Sequence, residues 1–299
     1  MEKPYILHMI TPAKNLSPFD VNMALDAGWD NAIGYTDVEK DEVQALVQDA
    51  IFSRGPSGAK RTGLFLGGRD MHTAMDMMEI VQESMVPPFQ VSCFADPSGA
   101  FTTAAGMVAC VEHQLQEKHG TNLKDKCVIV MGGTGPVGST AAVLAAKAGA
   151  EVKILGRKKD KSQRVAAMCT EYGADLTGIK GEANDMIDGI VGNADVVLAC
   201  AAAGIQVITE EHIKDADCLK IAADVNAVPP SGIYGLDVMG ECEPITDSKN
   251  GFGIGALAIG NVKYQTQHRM LQEMHDRDEP IYLHFERAFE IAREVVKEK

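Results

Sequence analysis

Short apolar runs and helical stripes alternate along the first hundred residues. Tyr5 to Ile10 reads as a strand, Pro18 to Ala27 as a helix with proline at its first position, and Asn31 to Tyr35 as a short strand. Val43, Leu46, Val47, Ala50 and Ile51 fall at i, i+3, i+4, i+7 and i+8, the buried face of an amphipathic helix. Thr62 to Leu66 is the next strand. Met71, Ala74, Met75, Met78 and Val81 repeat the helical stripe, with its methionines read as core, and Phe89 to Phe94 is a further strand. Thr102 to Lys118 is expected to be a long helix leading out of this α/β domain, followed by a polar linker, His119 to Lys126.

The second half opens on CVIVMGGTGPVGSTAAVLAAKAG, from Cys127 to Gly149: an apolar strand, a glycine turn and a helix of small residues. Gly133, Gly135 and Gly138 form G-x-G-x-x-G, and Glu151 to Leu155 supplies the second strand of a βαβ unit. Gly133 is read as the tight turn, Gly135 as the point where backbone approaches a pyrophosphate, and Gly138 as the site of close helix packing. Helices are expected over Asp160 to Tyr172 and Glu182 to Val191, and buried strands over Ala194 to Cys200 and Leu219 to Ala223. Gly204 and the run Asp224 to Gly235 are loops at strand ends, where open parallel sheets bind ligands. A stretch dense in glycine, Gly251 to Lys263, reads as a loop ending in a lysine at the mouth of a cleft between domains. Ile281, Phe285, Ala288, Ile291, Val295 and Val296 mark a C-terminal amphipathic helix expected to return to the first domain. The fold class is α/β: two α/β domains, the second a Rossmann-type parallel sheet. The expected division is 1–118 joined by 264–299, and 123–263.

Composition narrows the partners. Lys and Arg total 28 against 42 Asp and Glu, a formal charge of −14, which argues against a nucleic-acid or anionic-membrane surface. Seven scattered cysteines without a C-x-x-C pair suggest neither a disulfide framework nor a metal site. No run of about 18 apolar residues is present, and the expectation is a soluble, cytoplasmic protein.

The local cations gain weight against that acidic background. The second strand of the βαβ unit ends Gly156, Arg157, Lys158, Lys159, without the carboxylate that normally meets a free 2′-hydroxyl. Arg157 is placed to stack on adenine and pair with a 2′-phosphate, with Lys158 or Lys161 as a second cation, so NADP is the expected cofactor and NAD an alternative. Thr134, Pro136 and Val137 complete the glycine loop, and Ala201 and Asn226, just past two strand ends, are taken as further cofactor contacts. Ser17-Pro18-Phe19-Asp20 has the spacing of a helix start, which explains Asp20 as well as chemistry does. Asp70 reads as a helix cap. The turn from Asp96 to Thr103, with Ser98 and Thr102, offers hydroxyls and helix N–H groups to a polar ligand, and helix capping accounts for Thr102 equally well.

These stretches together carry a resemblance. GGTGPVG at 132–138, GRK at 156–158, SPFD at 17–20, D-x-x-G-x-x-T-T-A-A from Asp96 to Ala105, ADVNAVPPSGIYGLD at 223–237 and GALAIGNVK at 255–263 span nearly the whole chain. The sequence resembles the NAD(P)-dependent methylene-tetrahydromethanopterin dehydrogenases of bacterial one-carbon metabolism. The resemblance implies oxidation of a methylene bridge between two nitrogens of a reduced pterin, with hydride passing to the nicotinamide. It implies a pterin site with Asp20 and Lys263 as catalytic residues and Asp96, Ser98, Thr102 and Thr103 as substrate contacts, in a cytoplasmic homo-oligomer. A methylene-tetrahydrofolate dehydrogenase is the alternative within enzymes, and a non-catalytic NADP-binding sensor the alternative outside them.

Overall fold

The structure is a computed structural model and describes residues 3–173, 178–277 and 279–298. Its first elements are β1 (Ile6–Ile10), α1 (Pro18–Asp26), β2 (Asn31–Tyr35), α2 (Val43–Phe52), α3 (Pro56–Ala59), β3 (Thr62–Leu66), α4 (Met71–Glu83), β4 (Ser92–Ala95) and α5 (Ala100–His119). There follow β5 (Cys127–Met131), α6 (Pro136–Lys147), β6 (Glu151–Gly156), α7 (Lys159–Thr170), β7 (Lys180–Ala183), α8 (Ile187–Ile190), β8 (Val196–Ala199), α9 (Glu210–Asp215) and β9 (Ile221–Asp224). The chain ends with β10 (Glu243–Pro244), β11 (Phe252–Ile254), α10 (Ala256–Asp276), β12 (Tyr282–Leu283) and α11 (Phe285–Lys297). Two compact units result: Met1–Thr102 with Tyr264–Ile291, and Thr103–Lys263 with Ala292–Lys299. The division falls inside α5, at Thr102, rather than at the polar linker after it.

The first unit holds a parallel sheet of order β12-β4-β3-β1-β2. All five residues of β3 and all four of β4 are buried, as strands covered on both faces must be. In α4 the buried positions are Met71, Ala74, Met77, Met78 and Val81, so the stripe is met except that Met77 takes the place expected for Met75. β4 starts at Ser92, later than expected, because the chain first turns through Pro87-Pro88, with Phe89 N–H bonded to the Val86 carbonyl at 2.7 Å. Trp29 is wedged beside Gly63, where a Cβ would lie 2.4 Å from its ring, and donates its indole N–H to the Leu271 carbonyl at 3.3 Å. That bond ties the second half of α10 to the sheet of this unit.

The second unit is a seven-stranded sheet of order β10-β11-β9-β8-β5-β6-β7, parallel except for β10. Its apolar strands are buried on both faces; Ile129, Met131, Leu155, Val197 and Ala222 belong to one core cluster with Ile187, Ile213 and Ile233. The order changes direction between β5 and β8, which opens a crevice at their C-terminal ends.

Three expectations are corrected. Residues 180–183 form edge strand β7, not the start of a helix, and the helix expected to Val191 shrinks to a 3₁₀ turn and the single turn of α8. Gly189 and Gly192 interrupt it, and glycine is a poor helix residue. The glycine-dense stretch is not a loop but β11 followed by a 21-residue helix, α10. Gly255 serves a close crossing there, since a Cβ would lie 2.3 Å from the Asp237 carbonyl oxygen. The short helix α9 was not anticipated; Thr209 caps it by accepting the His212 N–H, and His212 Nδ1 accepts the Thr209 N–H in return.

β7 reaches the sheet only because Gly181 has no side chain: a Cβ would lie 2.3 Å from the backbone of Ser162 in α7. Backbone cannot yield as a flexible side chain can. Gly181→Ala is therefore expected to cost about 1–3 kcal/mol of stability, read as a lower urea midpoint with an unchanged slope.

Candidate active site

Gly132 opens the turn after β5 with φ +69°, and a Cβ there would meet Cys200 O at 2.6 Å and Ala201 N at 2.7 Å. The left-handed turn residue is thus Gly132, one position ahead of the glycine read for that task. Gly133 serves packing instead, its missing Cβ lying 2.5 Å from Cβ of Ile154. Gly138 lets α6 close on the turn, with Gly132 O at 2.6 Å. Gly135 differs from all three. A Cβ there would meet only Gly132 O, at 3.5 Å, so internal packing does not require glycine; its bareness leaves the loop backbone open to a ligand. α6 begins at Pro136 without a side-chain cap, and its first intrahelical bond runs from Ser139 N to Gly135 O at 2.9 Å. The N–H groups of Val137 and Gly138 precede that bond and suit a pyrophosphate. Ser139 Oγ holds the loop closed on the carbonyls of Gly133 and Gly135, at 3.1 and 2.9 Å.

Thr134, Arg157, Lys158 and Lys161 line a cavity of about 450 Å³ beside this loop. Gly156 permits the approach, since a Cβ there would meet Ser162 Oγ at 2.7 Å and Thr134 Cγ2 at 2.8 Å. Lys159 does not line the cavity; it pairs with Glu182 of β7 at 3.0 Å. The cations split accordingly: three at the cavity and one engaged elsewhere. Their chemistry fits a 2′-phosphate at the end of β6.

On the other side of β5, Ala201 follows β8 and is half-buried against Gly132. Asp224, at the end of β9, is buried and accepts N–H groups from Asn226 at 2.9 Å, Gly232 at 2.6 Å and Ile233 at 3.3 Å. Burial outweighs those bonds and holds its pKa above the usual aspartate value. Asn226, expected as a cofactor contact, spends its amide on the same loop: Oδ1 accepts from Gly204 N and Val228 N, and Nδ2 donates to Pro230 O at 2.9 Å. It shapes the crevice wall through the loop backbone.

The first unit has a second pocket, of about 330 Å³, at the C-terminal ends of β1, β3 and β4. Thr11, Asn15, Asp20, Gly67, Arg69 and Ser98 are among its lining. Ser17 caps α1 by accepting the Asp20 N–H at 3.4 Å, and the Asp20 carboxylate, 3% exposed, accepts a 2.8 Å bond from Gln267 Nε2. The cap therefore uses the backbone N–H of Asp20 and leaves its carboxylate to the pocket. Of the four expected substrate contacts, Ser98 reaches the pocket. Asp96 and Thr102 are buried in the start of α5: Asp96 Oδ1 accepts from Phe101 N at 2.8 Å and Thr102 N at 3.2 Å, and Oδ2 from Thr102 Oγ1 at 2.6 Å. Those two fix the turn rather than face a ligand, and Thr103 is half-buried one residue further on. Asp70 caps α4 through Thr73 N at 2.8 Å, as expected. Lys263 stands half-buried in the second turn of α10, a rigid helix position in place of a loop end. Gly106 lets α5 and α10 close together there, a Cβ lying 3.2 Å from Lys263 N.

Gln267 was not singled out from sequence, and Gly132 entered only as the first residue of GGTGPVG. Gln267 had a signal, because it shares the buried stripe of α10 with Val262, Thr266, Met270 and Leu271, where a glutamine needs a partner.

Residues 18–98 match the family described as methylene-tetrahydromethanopterin dehydrogenase, N-terminal, and residues 114–229 match shikimate / quinate 5-dehydrogenase. Among solved structures, quinate dehydrogenase from Corynebacterium glutamicum in complex with NAD shares the fold, with TM-score 0.55 and 13% identity over 96% of this chain and 98% of that one. The chain is 33% identical to the Bifunctional protein MdtA of Methylorubrum extorquens, over 93% of this chain and 94% of that protein. It is 44% identical to the NAD(P)-dependent methylenetetrahydromethanopterin dehydrogenase of the same organism, over 97% of this chain and 98% of that relative. Identity of that order along the full length, with the glycine loop and the pocket around Asp20 in place, makes the chain a member of the methylene-tetrahydromethanopterin dehydrogenase family.

Proposed function

We propose that the protein oxidises the methylene bridge of methylene-tetrahydromethanopterin to a methenyl bridge, with NADP as acceptor and NAD as a weaker one. The observation that carries this reading is that each unit has a cavity of its own chemistry, a cationic one beside a bare glycine loop in the second and one built around a buried carboxylate in the first. In this reading 123–263 takes the nucleotide, and 1–118 with 264–299 takes the pterin. When bound, the nicotinamide supplies the acceptor for a hydride at its C4.

The substrate loses hydride from a carbon flanked by two nitrogens, whose lone pairs spread the resulting positive charge as an amidinium. No strong base is needed, so positioning dominates. Asp20 hydrogen-bonds the pterin or compensates the developing cation, and Gln267 keeps its carboxylate oriented. Lys263 cannot stabilise a cationic product by charge; it positions the pterin or transfers a proton at a ring nitrogen. Ser98 contributes a hydroxyl at the rim, Asp96 and Thr102 hold the turn that carries it, and Thr103 is taken as a further substrate contact. Gly133, Thr134, Gly135, Pro136, Val137 and Gly138 cradle the pyrophosphate, and Arg157 and Lys158 take the 2′-phosphate. Ala201 lies beside the crevice that Asn226 helps to shape.

Among the described residues no helix is long and apolar enough to cross a membrane, and the seven cysteines are free. Free thiols suit the cytoplasm, which the reading adopts together with a homo-oligomeric state. Assaying both pterins against both nicotinamides tests the main reading. Reduction of NADP by methylene-tetrahydromethanopterin supports it, and turnover confined to methylene-tetrahydrofolate replaces it with the folate alternative.

Three variants test the assignments. Arg157→Ala is expected to raise KM for NADP by the loss of a charge-assisted contact, about 1.5–3 kcal/mol, and to change KM for NAD little; equal effects on both cofactors would remove Arg157 from the 2′-phosphate. Gly135→Val should remain folded, because the protein leaves room at that position, yet lose nicotinamide binding in calorimetry. Lys263→Ala is expected to lower kcat/KM by roughly 10² or more, the scale of a misplaced reacting group, with the NADP dissociation constant nearly unchanged. Near-normal turnover would take Lys263 out of the site, and a parallel loss of NADP affinity would move it to the cofactor side.

A further inference from the structure

The pocket at the ends of β1, β3 and β4 carries two opposite charges that differ in exposure. Asp20 is buried and bonded by Gln267, whereas Arg69 is exposed at the rim and, among the described residues, has no hydrogen bond or ion pair. Exposure alone is ordinary for an arginine, whose charge is costly to bury. This one stands on an anchored loop. Gly67 N donates to the Ile10 carbonyl at 2.9 Å, the Gly68 carbonyl accepts Ser98 Oγ at 2.7 Å, and Asp70 caps α4 through Thr73 N at 2.8 Å. Gly68 takes φ +125° against Pro12, a conformation open to glycine. The residues on both sides of Arg69 are thus fixed, and little loop freedom is lost when its side chain takes a ligand.

The pocket, at about 330 Å³, lies near the lower end of small-molecule sites. It can hold the bicyclic head of a reduced pterin, and the tail must then lie at the mouth, where Arg69 is. The amino and amide N–H groups of a pterin head suit the inner carboxylate. The reverse orientation would bring an anionic tail against the buried Asp20, a like-charge contact in a site of low dielectric.

We propose that Arg69 is a specificity-determining residue that binds the anionic tail of the pterin substrate, a carboxylate or phosphate group, and so fixes the direction in which the head enters toward Asp20. The proposal rests on the reading of this pocket as the pterin site. A planar guanidinium fork fits either anion, and in a chain of formal charge −14 an unpaired arginine at a pocket mouth is a local exception to the prevailing field.

The test compares wild type with Arg69→Gln on two matched pairs of substrates. One pair is methylene-tetrahydrofolate and its glutamyl diamide, which is neutral and of the same shape. The other is methylene-tetrahydromethanopterin with and without its phosphate-bearing tail end. For at least one pair, the ratio of kcat/KM for the charged over the neutral form should fall tenfold or more in Arg69→Gln, through KM. It should recover in part in Arg69→Lys, and decline with salt in wild type but not in Arg69→Gln. The pair that responds tells carboxylate from phosphate. Ratios unaltered by the substitution in both pairs overturn the proposal. If wild type turns over none of the four, the dehydrogenase reading fails on its own; calorimetric affinities for folate and its diamide in both proteins then decide Arg69, and an equal or absent response overturns it.

Discussion

The nucleotide side of the protein depends on how closely the backbone at the end of β5 can approach its neighbours. Three glycines are spent on that approach: Gly132 against the backbone of Cys200 and Ala201, Gly133 against the side chain of Ile154, and Gly138 against the backbone of Gly132. Each leaves less than 3 Å for a Cβ, a distance side chains do not occupy. With α6 drawn onto the turn, its uncapped N-terminus and the bare Gly135 come to the crevice mouth together. Electrostatics is then local, because the partial positive charge of a helix start acts mainly over its first turn.

A similar economy governs the other pocket, where the constraint is a buried charge. A carboxylate as enclosed as Asp20 is costly unless hydrogen bonds replace its water. Gln267 supplies one from a different element, α10, and Trp29 holds that part of α10 through the Leu271 carbonyl. Asp96 meets the same problem differently. It draws its donors from the first turn of the helix it caps, and is thereby used up as structure. Asp20 has its cap provided by Ser17 and keeps its carboxylate for the pocket.

Why sequence reading separated some of these residues and not others follows from the range of the forces involved. Strand and helix periodicity is local, so β1 to β3, β5 and β6 were legible to within a residue or two, as was the glycine loop with Arg157 after it. Glycine is ambiguous in the same local view. Around Gly251 to Gly260 it suggested a loop, yet Gly255 serves a chain crossing and Gly260 rides on a helix whose apolar stripe runs on to Met274. β7 was hidden for a related reason, since Gly181 is explained by the backbone of Ser162, well before it in the chain. The bonds that Asp96, Thr102 and Asn226 make within their own turns were not legible, because a polar residue beside a strand end has the same sequence signature whether it faces a ligand or closes a turn.

The local cations show what an overall charge conceals. A formal charge of −14 describes the long-range field, which is screened beyond about 8–10 Å at ordinary ionic strength. Within that distance, Arg157, Lys158 and Lys161 share a cavity, while Lys159 in the same run is engaged by Glu182. Pairing one lysine of the run leaves the other cations at the cavity without adding a fourth like charge to it. An acidic protein can therefore present a cationic site to an anionic cofactor, with the carboxylate that engages Lys159 placed on the neighbouring strand β7 and not at the cavity.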